Sequence, residues 1–202
     1  MLIETASQTA GPYLHIGMMP RAAGIDIREG ERWHVLAAEG AAGERIRLEG
    51  HVHDGTGALV RDAMIEIWQA NAHGKYHHPA DRQDKPVDPA FRGFGRAVSD
   101  FATGLWWFET VKPGPVPGRH GTLMAPHINV AVFARGINIH LNTRIYFADE
   151  ADANAKDPVL RLIEQEERRK TLLARREERQ GQVVYRFDIR LQGEDETVFF
   201  DV

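Results

Sequence analysis

The stretch from Thr110 to Phe147 limits what this chain can fold into more than any other. It opens with Lys112-Pro113-Gly114-Pro115-Val116-Pro117-Gly118. Proline cannot donate to a strand ladder, and glycine accepts dihedrals that other residues avoid, so this segment forms a rigid, shaped loop and not a strand. Two β-type runs follow, His127 to Ala134 and Ile137 to Phe147, joined at Arg135-Gly136. A shaped loop set against strands that carry His, Asn and Arg is suited to form the wall of a pocket.

The rest of the chain repeats the β signal. Ile46, Leu48 and Val52 share one face of a half-buried strand that stops at Asp54-Gly55-Thr56-Gly57. Met64 to Trp68 is the next strand, and the two read as a hairpin. Phe94 to Asp100 and Gly104 to Val111 flank a turn, with Trp106 and Trp107 on opposite faces, one for the core and one for a loop or a partner. Val183 to Leu191 alternates as a single strand, and Thr197 to Val202 closes the chain. Helix signals are sparse: a short helix around Arg32 to Ala38, and a stretch opened by Asp157 as N-cap and Pro158 at the first helical position, with Val159, Leu160 and Ile163 as its apolar stripe. The charged run Glu164 to Lys170 reads as a solvated face. About eight strands with one or two short helices and long loops predict an all-β, antiparallel two-sheet β-sandwich.

Composition sets outer limits. A chain of 202 residues, 43% hydrophobic and without repeats or a linker, is expected to form one domain over residues 1–202. Zero cysteines exclude disulfides and thiolate metal sites and suit a reducing compartment. A net charge of -4 argues against a general nucleic-acid binder. There is no apolar run long enough for a membrane span, and the amino terminus lacks the pattern of a signal peptide, so the expectation is a cytoplasmic protein.

Some candidate sites admit two readings. His51 and His53 lie on one strand face and could pair on a metal, but no third ligand is suggested near them, which favours an exposed polar face. Gln69 to Arg92 is a long polar loop, a type that is usually functional or disordered, and it carries Tyr76. Arg135 either supplies positive potential to an anionic ligand or is an ordinary turn residue.

Four segments carry a resemblance: Lys112 to Pro117, Met124-Ala125-Pro126-His127-Ile128-Asn129, Phe133 to His140, and Gln69 to Tyr76. Together they resemble the intradiol ring-cleaving dioxygenases, and the likeness runs from Ser7 to Val202. The resemblance implies a β-sandwich and cleavage of protocatechuate by O2 to 3-carboxy-cis,cis-muconate. It also implies Fe(III) held by two tyrosinates and two histidines in the catalytic chains. The corresponding positions here are Tyr76, Val116, His127 and Asn129, with Met124 where those chains carry an arginine. Two ligand positions are thus lost, and what remains cannot satisfy Fe(III), which wants hard anionic oxygen donors. The implied arrangement is a hetero-oligomer in which a beta chain binds the iron and this chain completes the site. Ser7 to Tyr13, SQTAGPY, matches a segment that reaches the partner's site, so Thr9, Gly11, Pro12 and Arg135 are the substrate-binding candidates. The bland reading of residues 1–20 is a frayed terminus. A self-sufficient metal enzyme using some of the ten histidines, or a non-catalytic binding module, are the alternatives.

Overall fold

The computed structural model describes residues 9–27 and 32–201. Its strands are β1 (Arg45–Gly50), β2 (Val52–His53), β3 (Met64–Gln69), β4 (Phe94–Val98), β5 (Trp106–Val111), β6 (Val116–Pro117), β7 (Leu123–Met124), β8 (His127–Phe133), β9 (Leu141–Phe147), β10 (Leu173–Arg179), β11 (Gln182–Arg186) and β12 (Ile189–Arg190). Three short helices accompany them, α1 (Leu14–Met18), α2 (Ala151–Asn154) and α3 (Glu166–Lys170).

Eight strands hydrogen-bond in the order β4-β3-β8-β9-β10-β11-β1-β5. The link in the middle is slender. β10 pairs in parallel with β9 only at Leu173 and Ala174, then turns its Arg175 to Arg179 segment onto β11. This strand therefore joins two layers, and the inward residues of both fall in one core cluster. Ile65, Ile67, Val130, Val132, Ile145 and Phe147 come from one layer, and Ile46, Leu48, Trp106, Phe108 and Tyr185 from the other. The mainly β, two-layer expectation is borne out, with parallel pairing added at β1–β11, β9–β10 and β2–β12.

Several local expectations are corrected. The strands β1 and β3 do not form a hairpin: β1 lies between β11 and β5, and β3 lies between β4 and β8. The cause is the turn after β2. Asp54 Oδ1 accepts hydrogen bonds from the backbone N–H of Thr56 and Ala58, and Val60 N–H returns to the Val52 carbonyl, so β2 closes its hairpin on residues 58–60 and releases β3 to the other layer. No helix forms over residues 32–38, because Leu36 N–H bonds the Glu109 carbonyl and Ala38 N–H bonds that of Ala90.

The stretch opened by Asp157 is also shorter than expected. Asp157 does cap, its Oδ1 accepting from the N–H of Val159 and Leu160 at 2.8 Å, but only a 3-10 turn over Leu160–Leu162 follows. Leu160 is drawn into a second apolar cluster with Ala125, Tyr146 and Leu172, and Ile163 is already extended. Tertiary packing overrides the helical pattern here. The two tryptophans divide as expected: Trp106 is fully buried, and Trp107 covers the outside, edge-on to His34 and under the Arg47 guanidinium.

The segment from Val183 to Leu191 is broken into β11 and β12, yet its backbone keeps bonding β1 and β2, with Phe187 N–H on Glu49 and Ile189 N–H on His51. That approach depends on Gly50, where an added Cβ would stand 1.7 Å from the Phe187 carbonyl oxygen. Gly50→Ala is expected to cost about 3 kcal/mol, since backbone cannot yield as a flexible side chain can. A chemical denaturation curve of this variant in the assembled protein, displaced from that of the wild type, checks it.

Candidate functional site

Strand alternation builds the site. In β8 the side chains of Ile128, Val130 and Val132 enter the core, so His127 and Asn129 stand on the opposite face. The ladder register sets Tyr146 opposite His127 and Arg144 opposite Asn129 on β9, while Trp68 of β3 faces Asn129 from the other side. Five polar or aromatic side chains are thereby placed on one patch of sheet. Tyr76 is laid over it by the loop after β3, its ring stacked on Trp68 at 5.8 Å between centroids.

That loop is fixed by its own hydrogen bonds. Asn71 Oδ1 accepts from the N–H of His73 and Lys75, and the largely buried Lys75 Nζ donates to the carbonyls of Asp81 and Gln83. Asp81 Oδ2 accepts from Tyr76 N–H at 2.8 Å. Desolvation opposes ionisation of Asp81, but the N–H groups of Gln83 and Tyr76 outweigh it and pull its pKa down to about 2. Gly74 permits the shaped proline-glycine loop to close on this one: a Cβ there would lie 2.0 Å from the Pro115 carbonyl oxygen, and its φ is +74°. Val116 is buried and pairs with Met124 across the small β6–β7 ladder.

The four positions singled out as former ligands, Tyr76, Val116, His127 and Asn129, thus fall in one region, and each has a settled role. Asn129 Nδ2 donates to Tyr76 Oη at 3.3 Å and to the Trp68 carbonyl at 3.2 Å. Burial pushes the Tyr76 hydroxyl pKa up, which keeps it a phenol. His127 Nδ1 lies 2.7 Å from the Ala125 carbonyl, so this nitrogen carries the proton, and Nε2 is buried without a partner. Burial and then the Arg144 cation lower the His127 pKa to about 4, so the ring is neutral at ordinary pH.

Arg144 escaped the sequence reading. Its guanidinium lies 3.4 Å from Tyr146 Oη and 3.5 Å from Met124 Sδ, and no carboxylate is within ion-pair distance of it among the described residues. Asp157 was read only as a cap; it also accepts from Ala125 N–H and from Tyr146 Oη, and is fully buried. Only strand register could have revealed Arg144, through its position opposite Asn129.

An iron centre does not fit this set of donors. Val116 offers no donor atom, Tyr76 is held protonated by burial, and the Arg144 cation acts on both Tyr76 and His127. Among the described residues no group of three or more His, Cys, Asp or Glu could hold a metal. His51 and His53 have other partners, with His51 Nδ1 on Arg186 and His53 Nδ1 on the Gly57 carbonyl.

The other candidates gather at the far end of β8, about 20 Å along the strand from His127. Thr9 Oγ1 accepts a hydrogen bond from Gly136 N–H at 3.2 Å, which brings the amino-terminal segment to the β8–β9 turn. Gly11 and Pro12 follow on the surface, and Tyr13 is 76% exposed. Arg135 is exposed and ion-paired with Asp62. Beside this turn Thr9, Ala10, Leu14, Phe133 and the 137–140 segment line a cleft of about 360 Å³. Ser7 lies outside the described residues.

Comparison with known proteins decides the family. The dioxygenase family model (Dioxygenase_C) matches residues 29–193, and the protocatechuate 3,4-dioxygenase alpha chain of Pseudomonas putida is 56% identical over 100% of this chain and 98% of its own. The chain belongs to the intradiol dioxygenase family. Within that family of non-heme iron enzymes it is also similar to the protocatechuate 3,4-dioxygenase beta chain of Burkholderia cepacia, 39% identical over 77% of this chain and 67% of the relative. A solved structure, the dioxygenase domain of a carbohydrate-binding fusion protein from Streptomyces sp. SirexAA-E, shares the fold with a TM-score of 0.55 and 22% identity, over 86% of this chain and 97% of that one.

Family membership makes the poor fit for iron informative. Val116→Tyr alone is expected to bind no stoichiometric iron and to show no tyrosinate-to-iron visible band, because Asn129 still withholds a ligand and Arg144 still supplies a competing charge. Metal analysis and an absorption spectrum of the purified variant check this.

Proposed function

We propose that this chain is the alpha subunit of an alpha-beta protocatechuate 3,4-dioxygenase, a single domain whose amino-terminal segment completes the active site of an iron-bearing beta chain. The observation that carries this reading is the pairing of full-length likeness to alpha chains with a ligand region that its own Val116, Asn129 and Arg144 make unfit for iron. The reaction inserts both atoms of O2: protocatechuate plus O2 gives 3-carboxy-cis,cis-muconate, with no other co-reactant. Fe(III) on the beta chain supplies the activation of the substrate diol toward O2.

This chain's part is shape and charge. Thr9, Gly11 and Pro12 form a section of pocket wall, fixed by the Thr9 to Gly136 hydrogen bond. Arg135 directs positive potential at the substrate carboxylate. The surface around the segment suits a permanent partner, since Tyr13, Met18, Ile25, Ile27 and Ile139 leave apolar area exposed. Among the described residues no helix is long and apolar enough to cross a membrane, and we place the enzyme in the cytoplasm.

Co-expression with a beta chain tests the reading. The pair should carry iron and turn over, while this chain alone should carry no iron. Deleting residues 1–13 from the co-expressed complex should leave iron on the partner, weaken assembly and lower kcat/KM about tenfold or more, on the order of 1.4 kcal/mol of transition-state stabilisation. Full activity in an intact complex would remove Thr9, Gly11 and Pro12 from the pocket wall.

A further inference from the structure

Asp62 is a carboxylate in the turn that precedes β3. Its side chain is only 8% exposed, and its sole partner among the described residues is Arg135 Nε. A carboxylate taken out of water is costly unless a cation answers it, so this pair is built and not incidental. The two partners differ sharply in exposure, because the Arg135 side chain is 62% exposed. Asp62 therefore anchors the guanidinium at Nε, and both Nη groups have no partner among the described residues. Those two nitrogens are the fork that binds a carboxylate in bidentate fashion.

The surroundings hold this arrangement rigid. Arg61 Nη1 donates to the carbonyls of Phe101 and Ala102, and Ala63 is fully buried, so the turn bearing Asp62 is pinned on both sides. The Phe101 ring packs against His15 of α1 at 5.1 Å, and the amino-terminal segment returns to Gly136, next to Arg135, through Thr9. The Arg135-Gly136 turn lies in the chain between Ala134 and Ile137, which both line the 360 Å³ cleft.

We propose that Asp62 is a positioning residue that makes the assembled enzyme selective for a carboxylate-bearing diol, by holding the Arg135 fork toward the substrate. The inference rests on the reading of this chain as a site-completing subunit. An unanchored arginine in an exposed turn would sample many rotamers and lose entropy on binding an anion; the buried carboxylate removes most of that loss in advance.

The test uses the co-assembled alpha-beta enzyme. KM for protocatechuate is measured beside the inhibition constant of catechol, the same diol without its carboxylate, in wild type, Asp62→Asn, Asp62→Glu and Arg135→Ala. In Asp62→Asn, KM for protocatechuate should rise about tenfold, the scale of one charge-assisted contact, with the catechol constant and kcat little changed. Asp62→Glu, which keeps the charge, should recover part of the loss and serves if the asparagine variant assembles poorly. A general loosening of the fold would move both ligands together and would overturn the proposal. If Arg135→Ala changes the ratio of the two constants and both Asp62 variants leave it at the wild-type value, the positioning role falls while the subunit reading stands. If Arg135→Ala leaves the ratio unchanged, the placement of Arg135 at the substrate fails, and the role of Asp62 with it.

Discussion

The β8–β9 register is the constraint on which the rest of the structure depends. With Ile128 opposite Ile145 and Val132 opposite Leu141, the ladder turns its apolar members to the core, while His127, Asn129 and Arg144 stand on the other face. A slip of one residue would bury Arg144 and expose Ile145, which no nearby group could offset, so the register is strongly specified. Everything at the candidate site follows from it. The same ladder fixes both ends of the functional map, with His127 near the shaped loop at one end and the Arg135-Gly136 turn at the other.

A second dependence is electrostatic. The polar patch on this sheet contains a cation, Arg144, with no carboxylate within ion-pair reach among the described residues, and a buried carboxylate, Asp157, two contacts away through Tyr146 Oη. Asp157 is stabilised by four donors: Ala125, Val159 and Leu160 N–H and the Tyr146 hydroxyl. Such a carboxylate ties three separated segments together and explains why the chain after β9 abandons a regular helix. Oδ1 serves the local cap and Tyr146 Oη while Oδ2 takes Ala125 N–H, and packing of Leu160 then decides the path. Positive charge remains at the patch, on arginine instead of metal.

Much of this was legible in the sequence, and the failures share a cause. Period-two runs identified nearly every strand of the core, since alternation is a local property. Partner choice was not local. The hairpin expected between β1 and β3 failed because the Asp54 turn could close just as well on residues 58–60, and nothing between Val52 and Met64 distinguishes the two. The helix expected over residues 32–38 failed for the same reason, with its backbone groups taken by Glu109 and Ala90. At the site, motif spacing located Tyr76, Val116, His127 and Asn129, but Arg144 and Asp62 carry no motif. Their importance lies in what stands opposite them, which register and burial reveal and composition does not.

We propose that the loss of ligand positions at Val116 and Asn129 and the presence of Arg144 act together, which bears on how such a chain divides labour with a partner. A site that merely lacked Val116 and Asn129 as ligands would keep Tyr76 and His127 as weak donors and would still attract stray cations. Burial and then Arg144 lower the His127 pKa, and the guanidinium charge opposes a metal ion at the same spot. At the opposite end of β8 the charge logic is reversed: a buried carboxylate holds Arg135 in place and leaves its outer edge to solvent. β9 thus carries an arginine on the polar patch, and the turn between β8 and β9 carries another that is paired with a carboxylate. The one anion paired with that arginine among the described residues is Asp62, and on the subunit reading proposed above a second arrives with the substrate.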